Sequence, residues 1–182
     1  MGFPGDPAQN RDRQGAARST YLITFVCYGA WLPGQAGAVD RSHNRFGARL
    51  PEANPVAQAT ARRRMRQPPD LLDASRRKVV LRAIQQVCAY RHWTLLAAHV
   101  RSNHVHVVVD ADQSAEQVMN SFKSYASRAL NLMAWDRPAC RRWAHHGSTR
   151  HLWTKDAVSA AIHYVICEQG KAIAVSESAD AN

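Results

Sequence analysis

Seven consecutive residues, Asn103-His104-Val105-His106-Val107-Val108-Val109, constrain this chain more than any others. The β-branched run with its alternation reads as a strand, and Asp110 and Asp112 mark the turn that follows. Residues two apart on a strand point to one face. His104 and His106 therefore project together, while Val105 and Val107 enter the opposite layer. Two imidazoles side by side on a rigid strand can bind one metal ion or clamp one phosphate. Ordinary half-exposed histidines would leave the same pattern.

The bulk numbers narrow the classes. At 182 residues and 46% hydrophobic content, the chain suffices for one domain with a real core. No run approaches the roughly 18 apolar residues of a membrane span, and Met1 to Arg18 lacks the apolar region of a secretory signal. Lys and Arg number 24 against 14 Asp and Glu, a net charge of +10. The excess is mostly arginine, whose planar fork suits phosphate. A nucleic-acid partner is the leading inference and an anionic membrane surface the weaker one. Cys27, Cys88, Cys140 and Cys167 show no C-x-x-C spacing and read as reduced, buried thiols of a cytosolic protein.

Residues 1–18 are rich in glycine, proline and polar side chains, and read as a disordered tail. Thr20 to Tyr28 has the composition of a buried strand, ended by Gly29 and by Trp31-Leu-Pro-Gly34. Residues 32–72 carry five of the eight prolines, Arg41, His43, Arg45 and Arg49, and the cluster Arg62-Arg63-Arg64-Met65-Arg66. A loop this long inside a domain is often functional. Here it reads as a DNA-contacting flap with a short basic helix over Ala57 to Arg66, or as a solvated insertion. Asp73 caps a helix whose apolar stripe (Val79, Val80, Ala83, Ile84, Val87, Cys88) runs to Arg91.

Trp93 to Val100 predicts a second strand, joined by Arg101-Ser102-Asn103 to the histidine strand as an antiparallel hairpin. Ser114 to Gln117 is a capping box for a helix to about Ala134, closed by Trp135 to Pro138. Lys123 and Arg128 lie off its apolar stripe, solvated or on phosphate. Arg141 to Trp153, basic and aromatic, contains a fourth strand and fits nucleic acid. Its His145, His146 and His151 match no standard zinc spacing. Thr154 caps a last helix that buries Val158, Ile162, Val165 and Ile166, and Gly170 stops it.

The order β-α-β-β-α-β-α predicts an α+β protein. It is a ferredoxin-like βαββαβ antiparallel sheet with helices on one side, plus an extra C-terminal helix. One domain, 19–170, sits between tails 1–18 and 171–182.

Paired histidines around one apolar residue on a strand, followed by a late helix with a tyrosine, resemble the HUH single-tyrosine transposases. The nearer likeness is to the transposase-like proteins associated with repetitive extragenic palindromes. Its best-matching pieces are Thr24-Phe25 with Gly29-Ala-Trp-Leu-Pro-Gly34, Asn103-His-Val-His106, Phe122-Lys-Ser-Tyr125 and Tyr164-Val-Ile-Cys-Glu-Gln169. The resemblance implies cleavage and rejoining of single-stranded DNA near hairpins by a tyrosine nucleophile with a divalent metal, Mg2+ or Mn2+. By position, His104 and His106 match the metal pair and Tyr164 the catalytic nucleophile. The family's third ligand, commonly Gln or Asn, lies one turn after the tyrosine. This chain has Glu168 there, with Gln169 beside it, and the i, i+4 spacing from Tyr164 favours Glu168.

Several residues around that set have two readings. Asn103 could orient His104 or touch phosphate, or simply make the turn. His99 could face the site from the neighbouring strand. Tyr125 is the second candidate nucleophile, or a packed core tyrosine. Lys123, Arg128, Arg62, Arg63, Arg64 and Arg150 are the candidate DNA contacts. The expected partner is single-stranded or hairpin DNA, the expected location cytoplasmic and nucleoid-associated, and a homodimer is as compatible as a monomer. Two other functions share these features: a hairpin-binding protein that does not cut, and a metal phosphodiesterase that uses water.

Overall fold

The computed structural model describes residues 17–36, 52–133, 140–169 and 175–177. Strand β1 (Ser19–Cys27) alternates strictly, sending Tyr21, Ile23, Phe25 and Cys27 into the core. Helix α1 (Pro55–Arg63) starts at Asn54, whose side chain accepts from the Ala57 N–H, and buries no residue. Helix α2 (Ala74–Arg91) is capped by Asp73, as its sequence predicts. Strands β2 (Thr94–Val100) and β3 (His104–Ala111) form the expected antiparallel hairpin. Helix α3 (Ala115–Leu132) opens on the Ser114–Gln117 capping box. Strand β4 (Trp143–His151) and helix α4 (Lys155–Cys167) follow, and Thr154 caps α4 through the Ala157 N–H. A three-residue strand β5 (Val175–Glu177) ends the described chain.

All strand pairs are antiparallel, in the order β4-β1-β3-β2-β5. The first four strands and α2 and α3 make the ferredoxin-like α+β fold that the sequence predicts. The main core lies between the sheet and these two helices. It holds Val105, Val107 and Val109 of β3 with Val80, Ile84 and Val87 of α2 and Val118, Phe122 and Leu130 of α3. Helix α4 covers the opposite face, over a smaller cluster of Ala97, Val108, Leu152, Ala161 and Val165. So the helices do not all share one side. Strand β3 is buried on both faces because each face has its own cover.

Three other expectations change. Residues 175–177, expected in a frayed tail, pair with β2. Arg18, also expected in a tail, forms an ion pair with Asp110 and donates to the His92 carbonyl at 3.1 Å. No disulfide joins the four cysteines, and only Cys27 and Cys88 are buried, where burial pushes each thiol up to about 12. Cys167 is exposed. Arg41, His43, Arg45, Arg49, the segment Trp135 to Pro138 and Gly170 lie outside the described residues.

Strand β4 breaks register against β1: Phe25 faces Gly147, yet Cys27 faces Trp143. Residues 144–146 therefore bulge opposite Val26 alone, which leaves ladder carbonyls without partners. Lys123 serves them. Its side chain is 8% exposed, and its Nζ donates to the carbonyls of Ala144 (3.0 Å), His145 (3.4 Å) and His146 (3.2 Å). Burial pulls the ammonium down to about 8, so at neutral pH it still carries three donors for three carbonyls. The expected contact of Lys123 with phosphate is thereby replaced by a structural role. Gly147 closes the bulge, since a Cβ there would lie 2.5 Å from the Thr24 carbonyl oxygen and 2.5 Å from Met119 Sδ.

Lys123→Met should remove these donors and destabilise the fold by about 1–3 kcal/mol, at about 2–4 °C of thermal midpoint per kcal/mol. Arg62→Ala, on the exposed α1, should stay within about 0.5 kcal/mol. Equal midpoints for the two variants in a thermal melt would refute the bulge-closing role.

Candidate active site

The alternation of β3 places His104, His106 and Val108 on the α4 side of the sheet and the intervening valines in the main core. The antiparallel register then builds a polar row across that face. Ser148 lies opposite Thr24, Thr24 opposite His106, and His106 opposite His99. The turn before β3 is fixed from three sides. Asn103 accepts from the Cys27 N–H at 2.8 Å, Ser102 accepts from the Leu72 N–H at 2.7 Å, and the Arg101 N–H donates to His104 at 2.8 Å.

Each imidazole of the pair is oriented through Nδ1. His104 Nδ1 lies 2.7 Å from Asn103 Oδ1. An amide oxygen only accepts, so Nδ1 carries the proton and Nε2 presents its lone pair. His106 Nδ1 lies 2.7 Å from Thr24 Oγ1, a hydroxyl able to serve either tautomer. The two rings meet edge to face, with centroids 4.7 Å apart. Burial lowers the pKa of His104, helped by the charge of Arg101. Burial pulls His106 down to about 4, and the charge of His104 adds to the effect. At neutral pH His106 is thus a neutral imidazole, the form that binds a metal.

Helix α4 lays Tyr164 over this pair. The Tyr164 ring stands edge-on to His106, with centroids 5.6 Å apart, and remains 39% exposed. The side chain of Gln169 lies beside His104 and His106, where it opposes the lowering of both pKa values, and its Nε2 donates to the Tyr164 carbonyl at 3.4 Å. Glu168 goes elsewhere: its Oε1 lies 3.1 Å from His163 Nδ1, with both side chains more than half exposed. Glu168 keeps the i, i+4 backbone geometry, its N–H donating to the Tyr164 carbonyl at 3.2 Å as the C-cap of α4, but its side chain turns to His163, and Gln169 folds back onto the Tyr164 carbonyl.

Among the described residues no three His, Cys, Asp or Glu side chains gather as a metal cluster. The donors that do converge are two imidazoles and one side-chain amide. With Nδ1 held at each ring, the set fits a divalent cation whose remaining positions are open to water or phosphate.

The other expected site residues lie around this centre. Asn103 is the orienting partner of His104. Arg150 is exposed on the His106 face of β4, opposite Leu22. Arg62, Arg63 and Arg64 are exposed at the end of α1. Arg128 is exposed on α3, on the far side of the sheet, 5.0 Å over the ring of Tyr125. Tyr125 itself packs against the main core. His99 does face the site layer, fully buried, and burial lowers its pKa. Thr24 belongs to the Thr24-Phe25 motif, but its role as the His106 partner depends on the strand register, which no motif displays.

A family model described as "Transposase IS200 like" matches residues 61–169, more than half of the chain. No curated protein matches the sequence. Among solved structures, a chain described as a REP-associated tyrosine transposase bound to a REP hairpin is similar at 10% identity. That likeness covers 87% of this chain and 71% of that one, with a TM-score of 0.47. No helix among the described residues is long and apolar enough to cross a membrane. The family match contains His104, His106, Tyr164 and Gln169 and bears out the likeness to single-tyrosine transposases: the chain belongs to the IS200-like transposase family.

Proposed function

We propose that this protein is a DNA strand transferase that nicks single-stranded DNA beside a hairpin and rejoins it through Tyr164. The observation that carries this reading is the placement of the Tyr164 phenol ring against His106, within the same layer as His104 and Gln169. All four side chains come from one chain, so a homodimer, where it forms, is not needed to complete the site. A cytoplasmic, nucleoid-associated location follows from such a partner.

The chemistry balances without a cosubstrate. The phenolic oxygen of Tyr164 attacks the scissile phosphorus, a 5′-phosphotyrosyl bond forms and the P–O3′ bond breaks. The phenol gives up a proton and the leaving 3′ oxygen takes one. Because the new bond is again a phosphodiester, a second 3′ hydroxyl can reverse the step without ATP. His104, His106 and Gln169 would hold a Mg2+ or Mn2+ ion. When bound, this ion supplies charge neutralisation at the phosphate. The protein's own contribution is to orient. Asn103 and Thr24 fix the two rings, and α4 holds the phenol above them. Arg62, Arg63, Arg64 and Arg150 provide phosphate contacts, while Arg128 sits on the far layer and Lys123 is committed to β4.

The test is a labelled hairpin with a single-stranded flank, incubated with Mn2+ and resolved on a denaturing gel. A covalent adduct should form, vanish in Tyr164→Phe and vanish in His106→Ala, with hairpin affinity largely kept because arginines supply it. A mobility shift without cutting would make the protein a hairpin binder, and cutting without an adduct a water-using phosphodiesterase.

The two candidate third ligands are separated by Mn2+ titration followed by electron paramagnetic resonance. Gln169→Ala should weaken Mn2+ binding about 10–100-fold, while Glu168→Ala leaves it unchanged. The reverse order would return the role to Glu168. Hairpin affinity should also fall about 50- to 150-fold between 50 and 200 mM salt for roughly four phosphate contacts. A flat response would remove the arginine rim from the binding surface.

A further inference from the structure

Helix α4 is lightly held. Of the residues in Lys155–Cys167 only Ala161 and Val165 are buried. Its buried cover on the sheet side is Ala97, Val108 and Leu152, with Leu22 and Leu96 partly buried beside them. Apolar contact is non-directional. It resists lifting the helix off the sheet more than it resists turning or sliding along it. Tyr164 tolerates neither motion. A register change of one residue shifts a helix by about 1.5 Å and turns it by about 100°, enough to carry the phenol away from His106.

A directional restraint is present at the right place. His99 on β2 is 0% exposed and sits opposite His106 in the sheet register. Its Nδ1 lies 3.0 Å from the carbonyl oxygen of Val165, the residue next to Tyr164. That carbonyl is one of the last four of α4, which have no intrahelical donor. Since a carbonyl only accepts, His99 Nδ1 carries the proton, and Nε2 is left without a hydrogen-bond partner among the described residues. A leucine would fill an apolar seam without leaving a buried nitrogen unsatisfied. The geometry around His99 thus has a cost that packing does not explain, and the benefit lies in the bond to α4.

We propose that His99 is a positioning residue: its Nδ1–H bond to the Val165 carbonyl fixes the rotation and axial register of α4, and so aims Tyr164 at the phosphate held over His104 and His106. The role rests on the proposed nucleophile. Its physical core, the anchoring of α4 to β2, does not.

His99→Leu removes the donor, and His99→Asn keeps one near the Nδ1 position. In single-turnover adduct formation on the labelled hairpin with Mn2+, His99→Leu should be slower by about a hundredfold, the scale of a misplacement of about 1 Å. Hairpin affinity should hold, and His99→Asn should recover most of the rate. A parent-like rate in His99→Leu, or no recovery in His99→Asn, overturns the proposal. Should His99→Leu fail to fold, His99→Gln replaces it, since its longer amide carries the donor past Val165. Should the parent form no adduct, the nucleophile reading fails by itself, and amide hydrogen exchange decides the anchoring. Faster exchange confined to α4 in His99→Leu, reversed in His99→Asn, supports it, and unchanged exchange overturns it.

Discussion

A slip of one residue between β1 and β3 would turn His104 and His106 into the valine core and push Val105 and Val107 under α4. The period of a strand is two, so no smaller error exists. What forbids the slip is that both faces of β3 are occupied, by different chemistry. The odd positions fit the apolar layer of α2 and α3. The even ones meet Thr24, His99 and the tyrosine helix. The register that seats the valines is therefore the register that assembles the polar row.

The two faces divide the work unevenly. The layer with α2 and α3 is thick and dominated by large side chains such as Phe25, Phe122 and Ile84. The α4 layer is thin, with alanines and valines as its fully buried members. Local opening follows the less deeply buried parts of a fold. The frame that holds the imidazoles is thus the rigid part, and the element that carries the phenol is the one able to move relative to it.

Elements with strong periodicity were legible from the residues alone. The helix caps at Asp73, Ser114 and Thr154, the β2–β3 hairpin and the histidine strand all stand where local pattern puts them. What was not legible depended on where side chains and chain segments meet. Helical spacing does put Glu168 one turn after Tyr164, but it does not display that the carboxylate turns to His163. Lys123 looked solvated because the bulge that needs its ammonium lies on β4, more than twenty residues later. The side of the sheet that α4 takes is a tertiary choice, and β5 is too short to leave a pattern.

The bulge in β4 has a consequence for how this sheet meets other chains. An outer strand offers unpaired amides and carbonyls to any passing strand, which invites aggregation. Here one margin is kinked at residues 144–146, with three of its carbonyls already capped by an internal ammonium. The other margin is only the three residues of β5. Among the described residues neither flank presents a long, straight template for intermolecular sheet growth. The described edges of this strongly basic chain thus offer little backbone for strand-to-strand stacking between copies.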